Sequence, residues 1–86
     1  MPENYHVHIK RSAEKELDAL PRRTRDRIGE RLLKLETDPR SRDVKKLQGQ
    51  VAYRLRVGNY RVLFTIDDDA RTVMVYAVGH RRDVYR

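Results

Sequence analysis

A two-residue turn between two alternating runs is the strongest constraint on how this chain folds. Apolar and polar side chains alternate over residues 53–57 and again over 60–67, and Gly58-Asn59 joins the two runs. Glycine and asparagine tolerate the positive φ angles of tight hairpin turns. The pattern therefore predicts an antiparallel hairpin. Its expected facing pairs are Val57 with Tyr60, Arg56 with Arg61, and Leu55 with Val62.

The polar positions of this hairpin are arginines, namely Arg54, Arg56 and Arg61. Side chains directly opposite on antiparallel strands lie roughly 5 Å apart at Cβ, and like charges there destabilise the pair. The chain of 86 residues carries 20 Lys and Arg against 13 Asp and Glu, a formal net charge of +7. Such an excess favours nucleic acid, an anionic membrane surface or an acidic protein as partner. We therefore expect the arginine face of the hairpin to bind an anion.

The N-terminal half predicts one strand and two helices. Tyr5–Lys10 alternates apolar and polar side chains, as a strand with one buried face does. Ser12 is the candidate N-cap of a first helix, and Glu16 is among the early carboxylates that suit the helix dipole. Pro21 ends this helix. A second amphipathic helix follows and ends before Asp38-Pro39, because the residue preceding a proline is pushed out of the α region.

The C-terminal half predicts the rest of a sheet. Residues 39–50 are expected to form an exposed basic loop, and strands follow at 52–57, 60–67 and 72–78. Together with the first strand they predict an α+β fold in the order β-α-α-β-β-β. The sheet is expected to be small, antiparallel and four-stranded, with the helix hairpin packed on one face. We expect residues 1–86 to form a single domain, since a chain of this size buries one modest core.

The register of the last two strands decides which side chains share a face. Pairing Asp67 with Thr72 places Arg61 opposite Val78. In this register Ala77 belongs to the apolar face that packs on the helices. Val78 then shares the face of Arg61.

Composition limits the possible ligands and locations. The chain has no cysteine, which excludes disulfides and makes a structural zinc site improbable. His6 and His8 alternate on the first strand, but without a third ligand nearby we expect no metal and no other cofactor. No apolar run approaches the roughly 20 residues that cross a bilayer, and the N-terminus has no apolar stretch of signal-peptide type. We expect a cytoplasmic protein with no membrane partner.

Residues 79–86, GHRRDVYR, form a dense basic tail after the last strand. Gly79 relaxes the backbone at the end of this strand. Because Arg61 is expected to lie opposite that end, His80 and Arg81 follow only two or three residues beyond it. Two groups of basic residues that are separated in sequence would then converge on one site.

Three segments of the chain carry a family resemblance: KKLQG, YRLRVGNYRVLFTIDDD and VYAVGHRRDVYR. Together with the order of the predicted elements, they resemble the RelE/ParE superfamily of toxins of toxin–antitoxin systems, and its RelE branch most of all. The resemblance implies a metal-independent endoribonuclease that cuts messenger RNA, typically in the ribosomal A site. It also implies the chemistry: the ribose 2′-hydroxyl attacks the adjacent phosphate and leaves a 2′,3′-cyclic phosphate and a 5′-hydroxyl.

The resemblance implies catalytic roles for five side chains, which are Arg54, Arg56, Arg61, Arg81 and Tyr85. Guanidinium groups stabilise charge on phosphate oxygens through bidentate hydrogen bonds, and we expect this of Arg61 and Arg81. Tyr85 is expected to stack on an unpaired base or to orient the attacked phosphate. Arginine is a poor general base. Either His80 is the base, since histidine changes charge near neutral pH, or catalysis rests mainly on positioning and charge.

Four further basic residues are expected to contact RNA, namely Lys45, Lys46, Arg82 and Arg86. The partners that the resemblance implies are a cognate antitoxin, messenger RNA and the ribosome. Operator DNA is expected to be a partner only of the toxin–antitoxin complex. Two alternatives remain open: a ParE-like toxin that poisons DNA gyrase, and a non-catalytic module that binds RNA or an antitoxin.

Overall fold

The computed structural model describes residues 4–85, which form two helices and a five-stranded sheet. The helices are α1 (Arg11–Asp18) and α2 (Arg22–Leu35). The strands are β1 (His6–Ile9), β2 (Val44–Lys46), β3 (Tyr53–Val57), β4 (Tyr60–Asp67) and β5 (Thr72–His80). In space they follow the order β1-β5-β4-β3-β2, and only the β1–β5 pair is parallel. The predicted α+β class is confirmed.

The predicted hairpin is confirmed down to its register. Arg56 lies opposite Arg61, and Val57 lies opposite Tyr60. Of the two turn residues only Gly58 has a positive φ, 59°. A glycine with positive φ at the first central position is the requirement of a type II′ hairpin turn, whose twist matches that of the flanking strands. Gly58 therefore sets the register that brings the two arginines face to face.

The sheet differs from the predicted four antiparallel strands in two respects. A short strand, β2, lies in the segment expected to be a basic loop, and it places Lys45 opposite Arg54. Three residues with two lysines carry no alternating pattern, so only the partner strand reveals this one. In addition, β1 runs parallel to β5, with Val7 opposite Val73. Strand direction depends on a partner far away in sequence, which the local pattern does not contain.

A bulge in β5 changes which residues face Arg61. The pairing with β4 shifts between Leu63 and Phe64, because Tyr76 is an extra residue on β5. A bulge of this kind moves every later side chain to the other face of the sheet. Arg61 therefore lies opposite Gly79 instead of the predicted Val78. Val78 belongs to the buried core on the helix side of the sheet. The prediction that Ala77 lies on that side is therefore wrong.

One face of the sheet packs on the helices and forms the core. Helix residues Ala13, Ile28 and Leu35 are fully buried, as is Phe64 at the centre of the sheet. The ring of Phe64 stacks on Tyr53 with 5.9 Å between centroids. This packing leaves the opposite face, which carries the arginines, uncovered by helices. Within residues 4–85 no helix is both long and apolar enough to cross a membrane.

The start of α1 differs from the prediction. Lys10 occupies the N-cap position, no side chain caps the helix, and Ser12 lies inside its first turn. The predicted N-cap at Ser12 is therefore wrong. The backbone N–H of Lys10 donates to the carbonyl of Val75 at 2.8 Å, which continues the β1–β5 ladder. The end of that ladder fixes where the helix begins.

Candidate functional site

Four arginines meet at one end of the uncovered face, and we call them the arginine cluster: Arg54, Arg56, Arg61 and Arg81. The first two lie on β3 and the third on β4, with Arg56 and Arg61 directly opposed. The backbone N–H of Arg81 donates to the carbonyl of Asn59 at 2.8 Å, which holds Arg81 beside the hairpin turn. The charges of the other three arginines all act on Arg61. The structure thus brings together the arginines that sequence reasoning selected.

Arg61 is the centre of this cluster and is only 7% exposed. Its Nη1 donates to the carbonyls of Gly58 and Tyr60 at 3.0 and 2.9 Å. Its Nε is buried and has no hydrogen-bond partner within the described residues. Burial lowers the pKa of the Arg61 guanidinium, Tyr85 opposes this shift, and the neighbouring arginines lower the pKa further. An unpartnered buried donor costs about 1–3 kcal/mol, so the fold holds a cation here at the expense of stability.

Within residues 4–85 no carboxylate forms an ion pair with the cluster. The ion pairs found within residues 4–85 join Arg22 to Asp26, Arg31 to Asp43 and Arg40 to Asp68, and none of them includes an arginine of the cluster. An arrangement of cations around a buried guanidinium is suited to bind an anion, above all a phosphate, which accepts bidentate hydrogen bonds from arginine.

The tail folds back beside the cluster. The N–H groups of Asp83 and Val84 both donate to the carbonyl of His80, at 2.8 and 3.1 Å, and reverse the chain. Val84 is then buried against Gly79, where a Cβ atom would lie 3.6 Å from the Cβ of Val84. Tyr85 follows, 49% exposed, and is close enough to Arg61 to affect its pKa. The tail thus brings a tyrosine beside the arginine cluster.

His80 does not join the cluster. It lies opposite Tyr60 on β4, and the two rings make an edge-to-face contact with 5.6 Å between centroids. Its Nδ1 accepts a hydrogen bond from the backbone N–H of Arg82 at 3.2 Å. Because Tyr60 packs against the helix-side core, His80 lies on that side of the sheet, away from Arg61. The bulge explains this position. Without it, the register of β5 would place His80 on the face of Arg61 and Arg81 on the opposite face.

The remaining basic candidates are spread over the surface. Lys45 lies opposite Arg54 and extends the arginine face by one strand. Lys46 lies opposite Tyr53, whose ring packs on the helix side of the sheet. The side chain of Lys46 therefore lies on the helix side and not on the arginine face. Arg82 is exposed in the tail. Arg86 lies outside the described residues.

Sequence reasoning missed a cleft beside the cluster. The cleft has a volume of about 430 Å³, and Leu63, Tyr76, Ala77 and Tyr85 contribute to its lining. Glu16 of α1 also lines it and accepts a hydrogen bond from the backbone N–H of Val78 at 3.0 Å. The sequence assigned this carboxylate only to the helix dipole. No local signal reveals the contact, because α1 meets β5 only in the folded chain.

Comparison with known proteins agrees with this geometry. The model of the family "ParE toxin of type II toxin-antitoxin system, parDE" matches residues 7–85. The chain belongs to the RelE/ParE family of toxins. The resemblance that the sequence motifs carried is thereby confirmed.

Named relatives of this RelE/ParE-family chain are RelE-type toxins. Toxin RelG of Mycobacterium tuberculosis is 43% identical over 44 residues, which is 49% of this chain and 51% of that protein. Two solved structures are similar over nearly the whole fold. A chain of the toxin–antitoxin complex RelBE2 from Mycobacterium tuberculosis has a TM-score of 0.82 and 32% identity, covering 91% of this chain and 99% of that one. A chain of the archaeal RelE–RelB complex from Pyrococcus horikoshii has a TM-score of 0.83 and 30% identity, covering 94% and 99%.

Proposed function

We propose that this RelE/ParE-family toxin is an endoribonuclease that cuts messenger RNA on the ribosome and thereby stops translation. The observation that carries the proposal is the state of Arg61: it is buried, its Nε has no partner, and three more arginines surround it. Within residues 4–85 no ion pair to a carboxylate includes these arginines. Such a group stabilises negative charge that develops on phosphate oxygens in the transition state. The relatives named RelE and RelG support the same class of activity.

The 2′-oxygen of the ribose attacks the adjacent phosphate, and the bond from phosphorus to the 5′-oxygen breaks. Overall the proton of the 2′-hydroxyl is transferred to the 5′-oxygen, so that the products are a 2′,3′-cyclic phosphate and a 5′-hydroxyl. Arg61 and Arg81 contact the non-bridging oxygens of the attacked phosphate. Arg54 and Arg56 hold the neighbouring backbone, and Tyr85 stacks on a base. Lys45, Lys46, Arg82 and Arg86 extend the contact surface for RNA, including ribosomal RNA.

Catalysis rests on positioning and charge stabilisation. Arginine keeps its proton at physiological pH, so no member of the cluster is a general base. The ring of His80 packs on Tyr60, and its Nδ1 already accepts a hydrogen bond, which argues against its acting beside Arg61. Guanidinium groups supply the charge stabilisation, so the proposed reaction needs no metal ion.

We further propose that a cognate antitoxin inhibits this toxin in the cytoplasm. Similar chains were solved as complexes of a toxin with its antitoxin, among them the RelE–RelB complex of Pyrococcus horikoshii. Acidic segments of an antitoxin would neutralise the arginine cluster and so block access to phosphate. Binding of operator DNA would then belong to the complex.

The test is expression of the wild type, Arg61→Ala and Arg81→Ala, with messenger 5′ ends mapped on translating ribosomes. We expect codon-phased cleavage by the wild type, 2′,3′-cyclic phosphate at the new 3′ ends, and loss of cleavage in both variants. Arg23→Ala is the matched control, because Arg23 is an exposed arginine of α2 on the other side of the sheet. Phased cleavage that survives both cluster variants would contradict the proposed site.

A second candidate function is poisoning of DNA gyrase, which the ParE name of the matching family model favours. The arginine cluster argues against it, since the family resemblance associates that set with RNA cleavage. A supercoiling assay on the same preparations separates the two. Inhibited gyrase with intact messenger RNA would overturn the first proposal in favour of the second.

A further inference from the structure

Apolar and aromatic side chains on which an aromatic ring can stack line the cleft beside the arginine cluster. Its floor is apolar, formed by Leu63 and Ala77, which pair with each other across β4 and β5. Tyr76 and Tyr85 add aromatic surface at its wall. A volume of about 430 Å³ lies within the range of small-ligand sites. Unpaired bases of RNA bind to proteins by stacking on such aromatic side chains.

The cleft is next to the cluster, so both can contact one RNA strand. Leu63 of the floor lies opposite Arg54 on β3. Tyr85 lines the cleft and also acts electrostatically on Arg61. A nucleotide whose phosphate is bound by the arginines would therefore have its base at the entrance of the cleft.

Glu16 is the only charged side chain among the described residues that line the cleft. One carboxylate oxygen, Oε1, accepts from the N–H of Val78 at 3.0 Å, which orients the group. Within residues 4–85 no cation forms an ion pair with it. A carboxylate accepts hydrogen bonds and donates none, and it repels phosphate. The group that it suits is therefore a base edge that carries N–H donors.

We propose that the cleft binds one nucleobase of the RNA substrate and that Glu16 selects guanine there. Guanine presents two adjacent donors on its Watson–Crick edge, N1–H and the N2 amino group, which match the acceptors of a carboxylate. In adenine and cytosine the donor stands beside a ring nitrogen that accepts, and in uracil the single N–H lies between two carbonyl oxygens. These acceptors would repel the carboxylate. The inference rests on the proposed RNA-cleaving function, since it requires RNA at the arginine cluster.

The test uses the full chain and short uridine-rich RNAs in which one central base is guanine, inosine or adenine. Ribose with 2′-fluoro at every position removes the attacking hydroxyl, so binding is measured without cleavage. We expect the wild type to bind the guanine RNA about tenfold more tightly than the adenine RNA, since a good bidentate contact discriminates by about 1–3 kcal/mol. Inosine, which lacks the N2 amino group, should lie between them.

The decisive variant is Glu16→Gln. Its side-chain carbonyl still accepts from the N–H of Val78, while its amide adds a donor toward the cleft. We expect the preference for guanine to fall to within about twofold and thermal unfolding to stay unchanged. Glu14→Gln is the matched control, because Glu14 is an exposed carboxylate on the same helix that does not line the cleft.

The outcomes separate this inference from the proposed function. Tight, salt-sensitive binding of all three RNAs without base preference overturns the role of Glu16 alone. The same holds if Glu16→Gln keeps the wild-type preference, or if it lowers the melting temperature and weakens all three RNAs equally. Absence of binding to any of the RNAs overturns this inference, whereas the proposed function is decided by the 5′ ends mapped on ribosomes. An affinity that salt does not change overturns both, since it contradicts binding of phosphate by the arginine cluster.

Discussion

Two groups of arginines lie at opposite ends of β4, and they differ in whether a carboxylate pairs with them. At the far end Arg40 donates to both carboxylate oxygens of Asp68, at 3.0 and 2.9 Å. Tyr5 donates its hydroxyl to the same carboxylate at 2.6 Å and accepts from Arg71 at 2.9 Å. These contacts join the start of β1, the segment after α2 and the turn between β4 and β5. An arginine there connects parts of the fold.

At the near end Arg61 has carbonyl groups and other arginines around it. The pKa shifts of the two arginines differ in direction, since the pKa of Arg40 is raised, mainly by its hydrogen bond to Asp68, and that of Arg61 is lowered by burial. Arg40 therefore belongs to the framework of the fold, whereas Arg61 is held without a carboxylate partner within residues 4–85. An arginine paired with a carboxylate stabilises the chain, whereas the buried Nε of Arg61, without a hydrogen-bond partner within residues 4–85, costs free energy that a bound anion would recover.

The largest expected difference between the two groups is in cleavage rate. Arg61→Ala should lower the rate of messenger cleavage on ribosomes about 100-fold, the size of losing one preorganised donor to a transition-state anion. Arg40→Ala should leave the rate within about twofold, because Arg40 lies at the other end of β4. Rates are measured from the appearance of 5′ ends with time. Equal losses in both variants would show that the two groups do not differ in function.

The second expected difference is in stability. Arg61→Met should raise the free energy of unfolding by about 1 kcal/mol, because it removes a buried unpartnered Nε and the repulsion by neighbouring arginines while keeping an apolar stem. We expect this gain to exceed the loss of the two hydrogen bonds from Nη1 to the carbonyls of Gly58 and Tyr60. Urea unfolding measures this change, and the variant should be inactive. Asp68→Asn, at the other end, should lower the urea midpoint. A less stable Arg61→Met protein would mean that Arg61 belongs to the framework as Arg40 does.

The hairpin was predictable because its information is local. Gly58 fixes the turn, and the alternation around it fixes the register of Arg56 against Arg61. The bulge at Tyr76 was not predictable, since it arises from the pairing of β5 with β4 and has no signal of its own. Its effect is large, because a register shift of one residue moves the side chains that follow to the other face of the sheet. The bulge thus brings Gly79 opposite Arg61 and places His80 on the core side.

Other errors have the same physical origin. β2 is visible only through its pairing with β3, and the contact between Glu16 and Val78 joins residues 62 positions apart. The ends of elements depend on tertiary contacts too, as at Lys10, where a ladder hydrogen bond displaces the start of α1. Sequence patterns therefore selected the arginines of the site, whereas the cleft beside them depends on contacts between distant segments.

The smallest expected effect is a pH dependence of stability, which we expect only at the end of β4 where Arg40 pairs with Asp68. The pKa of Asp68 is lowered from 3.8 to about 2, mainly by its hydrogen bonds from Arg40 and then from Tyr5. A carboxyl whose pKa is lower in the folded state stabilises the protein above its ordinary pKa and loses this contribution as the pH falls. The stabilisation by Asp68 is thus present above about pH 4 and disappears toward pH 2. The effect is small because water screens an exposed pair.

Urea midpoints at pH 5 and pH 2.5 measure this contribution. The decrease between the two pH values should be smaller in Asp68→Asn than in the wild type, since the amide does not titrate. Asp69→Asn is the matched control, an exposed carboxylate in the same turn, and its decrease should equal that of the wild type. Arg61→Met should also keep the wild-type decrease, because arginine does not titrate in this range. An Asp68→Asn protein with the full wild-type decrease would contradict the view that this carboxylate is what distinguishes the two ends of β4.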